Sequence, residues 1–505
     1  MATLQITQIP TETAVYTGAN TYDELVPTNY WQILPVTVNI TEDLSIYYKV
    51  KYILRVYAGT DATGTLLATI KQRTNNASTT TNQVAIFDIR GIINTQLQIT
   101  YSDAGGSGKE IHQLGKNVTT KILSYNNLSV KTVFMKATWE RSETATGTPV
   151  EQTGGTDEVT MIMYFTPATF SLFSVKTTDD NPLANYNTSA NTDYLMSNAP
   201  SIYDYRKLNR EAGGGDLLSG HINYISKTTD FHTIGFQNKS GWGSDGNFLG
   251  LQFYEADGTK IVEYAFPNDG DRGGIAPASA STDGSYLLYA GCGSANFENY
   301  VGQAHKNASG SLTTFDGQPS GGVSRNYAYY RVFMCDTSNP AVSIRSKYYY
   351  FVRDFDTDTN CKDQDIIRLG WMNELGAWDY YDFRGGQVET VDVERTNYST
   401  ILGAGDLDRD IFTFDTWGAG KRTLVTSSTL KSTLQTQFIQ QAEGQFLETL
   451  FSSSVVMVIE KGNTTVSQSV VISNKSFQRK TSAKNKLQIQ YTFEIEYSNA
   501  LNTNS

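Results

Sequence analysis

The residues best spaced for chemistry are aspartates. In DFDTDTNCKDQD, Asp354, Asp356 and Asp358 fall at positions 1, 3 and 5 of a calcium-binding loop, and Asp365 at position 12. Oxygen ligands at that spacing suit a hard divalent cation. Thr359 stands where the turn glycine belongs, the last ligand is Asp rather than Glu, and β-type sequence flanks the segment. The expectation is therefore a polar loop, with Ca²⁺ the alternative and no other cofactor. Asp406, Asp408 and Asp410 form a second, weaker acidic run.

Other chemistries find less support. The four histidines, His112, His221, His232 and His305, are isolated from one another and from any nucleophile motif, so they read as structural. With 51 acidic residues some carboxylates must be neighbours in space, and a glycosidase needs two of them at a set separation across a cleft. The default for most acidic side chains is solvation of the surface. Cys292, Cys335 and Cys361 are odd in number and match no metal-ligand spacing, which fits folding under reducing conditions. No phosphate-cradling motif is present. The expectation is a protein that is not an enzyme.

Charge and composition narrow the partners. The net charge is −11, with an isoelectric point near 5.0 and basic residues scattered, so a phosphate backbone would be repelled and nucleic acid is not expected as a partner. No apolar segment has the length of a membrane span, and MATLQITQIPTETAVY has neither a basic nor an apolar leader region. The 31 Tyr, 42 Gly and 12% aromatic content favour strands and turns over helices. The expected fold class is mainly β, with several β-sandwich or barrel domains and one amphipathic helix near the carboxyl terminus.

Taken in order, residues 1–175 read as a fibronectin-like or immunoglobulin-like sandwich. Strands are expected at Trp31–Ile40, Tyr47–Tyr57, Gly64–Arg73, Val84–Ile89, Leu128–Arg141 and Val159–Phe165, with a brief helical turn after Phe87. Residues 176–200, polar and Asn-rich, have the composition of a linker or long loop. Residues 201–346 form a Gly- and aromatic-rich β domain in which Asp257-Gly258 marks a hairpin. Residues 347–505 form the closing module. There Ser432 and Gln435 have capping-box spacing, and Leu434, Phe438, Ala442, Phe446 and Leu450 recur at four-residue steps, predicting a helix over 433–451. From Leu487 to Tyr497 apolar and polar residues alternate strictly, the mark of a half-buried strand.

Within this module the stretch RLGWMNELGAWDYYDF, with Arg368, Trp371, Asn373, Gly376, Asp379 and Phe383, reads as two short strands around an Asn-Glu-Leu-Gly turn. Gly385-Gly386 is assigned the positive φ of a hairpin tip. The whole is an aromatic-rich corner rather than a catalytic loop. Together with the ERTNY of Glu394–Tyr398 and the segments from SSTLKSTLQ to EIEYSNA, it resembles virion proteins of tailed bacteriophages, including crAss-like and other Bacteroidetes phages. The resemblance covers about the last third of the chain. It implies a structural component of the tail, neck or baseplate. Such a component is made in the host bacterial cytoplasm and assembles with copies of itself, roughly six or twelve by analogy with closed tail rings, and with other virion proteins. The alternative is a receptor- or glycan-binding tail protein using the aromatic loops of residues 201–346, and less so a polysaccharide-degrading enzyme.

Overall fold

The structure, a computed structural model of the 505-residue chain, describes residues 4–8, 21–28, 35–40, 44–73, 84–97, 111–114, 123–125, 130–167, 195–197, 199–200, 224–227, 229–237, 248–267, 287–297, 304–306, 312–314, 327–335, 346, 348–353, 366–400, 403–406, 411–414, 420–461, 464–474, 490–498 and 502–504. It is mainly β, as the composition requires. The chain divides into two compact units. Unit 1 comprises Met1–Asn360 with Met372–Asp379, and unit 2 comprises Cys361–Trp371 with Tyr380–Ser505.

Unit 1 begins with a sandwich. A six-stranded sheet runs Thr21–Pro27, Val159–Thr166, Lys131–Ser142, Tyr48–Ala58, Thr65–Gln72, with Val150–Gln152 beside Lys131–Ser142. A three-stranded sheet of Leu4–Gln8, Pro35–Ile40 and Val84–Asp88 faces it. Their inward residues share one core: Tyr52, Leu54, Val56, Met135, Trp139 and Met163 from the first sheet, and Ile6, Val38 and Phe87 from the second. The alternation that puts Tyr52, Leu54 and Val56 inward turns Lys51 and Arg55 to the other face. There Arg55 grips Glu151 with two bonds of 2.5 and 2.7 Å, and Glu140 receives Lys71 at 2.6 Å. The helical turn expected after Phe87 is Arg90–Asn94. Leu4–Gln8 and Thr21–Pro27 were not expected as strands.

A second sandwich comes next. Its seven-stranded sheet runs Tyr224–Ser226, Tyr349–Arg353, Tyr329–Cys335, Phe248–Tyr254, Lys260–Pro267, Ala304–Lys306, Leu312–Thr314. The hairpin at Asp257-Gly258 is present, with Gly258 at φ +86° between paired strands. A four-stranded sheet of Leu195–Met196, Thr233–Gln237, Leu287–Gly291 and Leu123–Tyr125 contributes Ile234, Phe236 and Ala290 to the same core as Leu249, Leu251, Tyr330, Val332 and Phe351. Cys292, just past the end of Leu287–Gly291, joins them. Residues 1–175 are therefore not a closed domain, because Leu123–Tyr125 crosses into the second sandwich before Lys131–Ser142 returns to the first. Three residues are too few to show a period, so the sequence carries no sign of this exchange. Leu195–Met196 likewise makes the end of the expected 176–200 linker a strand.

Unit 2 is one large sheet with a helix. The order is Trp378–Phe383, Ile367–Met372, Val456–Lys461, Thr464–Ile472, Thr492–Tyr497, Gly420–Gln435, Gln387–Thr400, with Asn502–Asn504 also on Gly420–Gln435. The helix is Gln441–Ser452, not 433–451. Ser432 and Leu434 are buried on one side of a strand at two-residue spacing, in a Ser/Thr-rich segment whose propensity is for sheet. The four-residue step from Leu434 to Phe438 is coincidental, and Phe438 is 64% exposed. The capping position shifts accordingly: the Gln440 backbone N–H donates to the Glu443 carboxylate at 2.9 Å. Phe446, Leu447 and Leu450 form the buried stripe.

Candidate assembly surface

The expected motif residues are positioned by tight local chemistry. Gly376, at φ +85°, closes a turn in which the Asn373 N–H donates to the Ala377 carbonyl at 2.7 Å. The Asn373 Oδ1 accepts from the N–H groups of Leu375 and Ala377, both at 3.0 Å, and its Nδ2 donates to Asp379 Oδ2 at 2.9 Å. The other Asp379 oxygen accepts Ser197 Oγ at 2.5 Å and Tyr224 OH at 3.0 Å. Asp379 is fully buried, so these three donors replace the water it has lost. Burial, and then the adjacent carboxylate, pushes the Tyr224 hydroxyl well above the ordinary tyrosine range. The Tyr224 ring stacks on Phe351 and meets the edge of His232 at 4.1 Å. His112 lies edge-on to Trp378 at 4.6 Å. Both histidines are buried among aromatic rings, where they pack.

In unit 2, Arg368 and Asp382 form a nearly buried ion pair at 2.6 Å, and Arg384 reaches the other Asp382 oxygen at 3.2 Å. Trp371 donates its indole N–H to Thr449 Oγ1 at 3.0 Å and packs on Phe446, tying the strand to the helix. Phe383 meets Phe493, which stacks on Phe451. The six motif residues are thus buried and do structural work. Gly385-Gly386 is not a hairpin tip, and neither residue has positive φ. A Cβ on Gly385 would lie 2.3 Å from the Gln435 carbonyl oxygen, so glycine is required by close backbone approach.

The strand after Gly386 presents the surface that stands apart. Gln387–Thr400 pairs along its whole length with Gly420–Gln435, from Gln387 opposite Leu434 to Thr400 opposite Gly420, with one bulge between Thr396 and Asn397. Fourteen residues span about 46 Å at strand rise. It is the last strand of the sheet, and its interior twelve residues are all exposed. Strand alternation puts Val388 (62% exposed) on one face and Val391 (51%) and Val393 on the other. Tyr398 and Leu424 are also exposed. On the ribbon Lys431 holds Asp392 at 2.8 Å and lies 3.9 Å from Glu496, contacts at the surface that contribute little. This feature escaped sequence reasoning, although VETVDVERTNYST carries a sign of it. Its valines occur at both even and odd positions, so no register could bury them all against one core.

The remaining expected sites are not brought together. Asp354, Asp356, Asp358 and Asp365 lie outside the described residues, as do Asp408, Asp410 and His221. Among the described residues, no group of three or more His, Cys, Asp or Glu could hold a metal ion. Among them too, no helix is long and apolar enough to cross a membrane. Comparison with protein-family models and with curated proteins returned no match.

Proposed function

We propose that this protein is a structural, non-enzymatic component that works in many copies, and that its setting is the tail, neck or baseplate of a tailed-phage virion. The observation that carries the multi-copy role is the Gln387–Thr400 ribbon. A long edge strand exposing valines on both faces is a template for pairing, and soluble proteins that keep their edges to themselves shorten, bend or cover them. Among the described residues the ribbon has only two strands at its Gly420–Val425 end, and a two-stranded ribbon is at best marginally stable in water, so that end is most readily maintained by a partner. The virion setting is supported by the resemblance of Arg368–Phe383, Glu394–Tyr398 and the closing segments to tailed-phage proteins. The buried corner around Trp371 and Asp379 then serves as rigid packing rather than chemistry.

Glycan binding, the alternative, would use aromatic rings of residues 201–346. Several described rings there stack on one another: Tyr254 on Tyr329 at 4.8 Å and Tyr330 on Phe351 at 4.9 Å, with Tyr254, Tyr329 and Tyr330 buried. Rings engaged in this way are not presented to a sugar. The test is the native mass of the purified chain by light scattering, with negative-stain microscopy. Discrete closed rings are expected. A monomer at all concentrations would overturn the multi-copy role, and glycan-array binding by that monomer would favour the alternative.

A further inference from the structure

The ribbon has two edges of opposite charge. Along its outer edge, Gln387–Thr400 carries Glu389, Asp392 and Glu394 against Arg395, a net of −3 + 1 = −2. On the other edge, Gly420–Val425 carries Lys421 and Arg422 and no acid, a net of +2. The inner part of that second strand is already paired, Thr426–Ser428 with Asn502–Asn504 and Lys431–Gln435 with Thr492–Glu496. Among the described residues, no strand pairs along the outer edge of Gln387–Thr400 or beyond Gly420–Val425 on the side away from it.

Resting on the multi-copy role above, we infer that the partner of this ribbon is a second copy of the same chain, docked head-to-tail, with the acidic Gln387–Thr400 edge of one copy pairing the basic Gly420–Val425 edge of the next. Charge selects this arrangement over a two-fold one. Antiparallel pairing of Gln387–Thr400 with itself about Val393 would set Asp392 against Glu394 of the other copy, and about Asp392 would set Asp392 against itself; like charges across a strand pair repel. Pairing unlike edges puts carboxylates against Lys421 and Arg422. A heterologous contact leaves one complementary edge open at each end, so it propagates until it closes into a ring or runs on as a filament. Its short overlap, six residues from Gly420 to Val425, makes each contact weak and the closed assembly cooperative.

Charge reversal on the full-length chain tests this. Lys421→Glu with Arg422→Glu makes both edges acidic, and Glu389→Lys with Glu394→Lys makes both basic. All four side chains are on the exposed ribbon, and circular dichroism checks that each variant folds. In low salt each variant alone should lose self-association at least tenfold, by sedimentation velocity from about 1 to 100 μM. An equimolar mixture should recover it, because edges of the two variants alternate in sign around the assembly. Wild-type association by each variant alone, or no recovery on mixing, overturns edge pairing while the multi-copy role stands. A wild-type chain that stays monomeric throughout overturns both. A wild-type assembly that stops at a two-fold dimer overturns the head-to-tail arrangement.

Discussion

Asp379 is the residue whose replacement probes the packing account most sharply. It is fully buried and accepts from Ser197, Tyr224 and Asn373 at 2.5, 3.0 and 2.9 Å. Asp379→Leu keeps the branched heavy-atom shape, though with larger methyl groups, and removes every acceptor. The Asn373 amide keeps its turn bonds through Oδ1, but its Nδ2 loses the carboxylate, and the two hydroxyls must look elsewhere in a site closed to water. A buried polar group left unsatisfied costs about 1–3 kcal/mol, and a hydrogen bond to a charged group contributes about 1.5–3 kcal/mol. Three donors to one carboxylate therefore put the loss at about 3–6 kcal/mol, allowing for the Ser197 and Tyr224 hydroxyls being 2.7 Å apart and able to bond each other. Asp379→Asn keeps one carbonyl for Asn373 and offers an amide the hydroxyls can accept, so its cost is about 1 kcal/mol. Urea unfolding of the whole chain gives the stability, and peptide-resolved hydrogen exchange shows whether Met372–Asp379 and Tyr224–Ser226 open first. A leucine variant within about 0.5 kcal/mol of wild type, or one no worse than asparagine, would refute the reasoning.

Three further outcomes rest on particular contacts. Gly385→Ala should destabilise by about 1–3 kcal/mol, because its Cβ meets a backbone carbonyl, whereas Gly386→Ala, whose nearest atom is the movable Gln435 side-chain oxygen at 3.4 Å, should be close to neutral in thermal unfolding. Phe446→Ala should cost about 3–5 kcal/mol and Phe438→Ala under about 0.5 kcal/mol, a contrast that tests where the helix begins. Glu151 is held down to about 2 by its hydrogen bonds from Arg55. A carboxyl depressed in the folded state stabilises above its unfolded pKa and loses that contribution as pH falls, so the Arg55–Glu151 pair should contribute about 1 kcal/mol at neutral pH. The gap between wild type and Glu151→Gln, measured by urea unfolding, should be constant above about pH 5 and shrink between about pH 4.5 and 2.

The parts of the fold legible in the sequence are those set by local pattern. Tyr48–Ala58 is a strand whose Lys49, Lys51 and Arg55 alternate with Val50, Tyr52 and Val56 to show period two, Val159–Thr166 is one by its β-branched and aromatic content, and Asp257-Gly258 is a turn because its glycine takes positive φ. The corner from Arg368 to Phe383 is legible for the same reason, and its burial follows from two tryptophans in eight residues. Illegible were the features decided at long range. Leu123–Tyr125 joins a sheet built from residues far away in sequence. Gly385 answers to a carbonyl fifty residues on. The helix start failed because Leu434 and Phe446 satisfy a four-residue step that only tertiary pairing of Ser432 and Leu434 breaks. The ribbon was missed because a strand exposed on both faces has no core to impose its period.

The most direct measurement is backbone hydrogen exchange of Gln387–Thr400 in the intact chain, dilute in high salt and concentrated in low salt. In an antiparallel pair about half of these amides point toward Gly420–Gln435 and the rest point outward. The outward set should exchange within seconds when dilute; when the chains associate, the outward amides within a run of about six residues, matching the Gly420–Val425 overlap, should become protected together with Gly420–Val425. Association that leaves those outward amides exchanging at their dilute rate would contradict the ribbon as the surface on which copies meet.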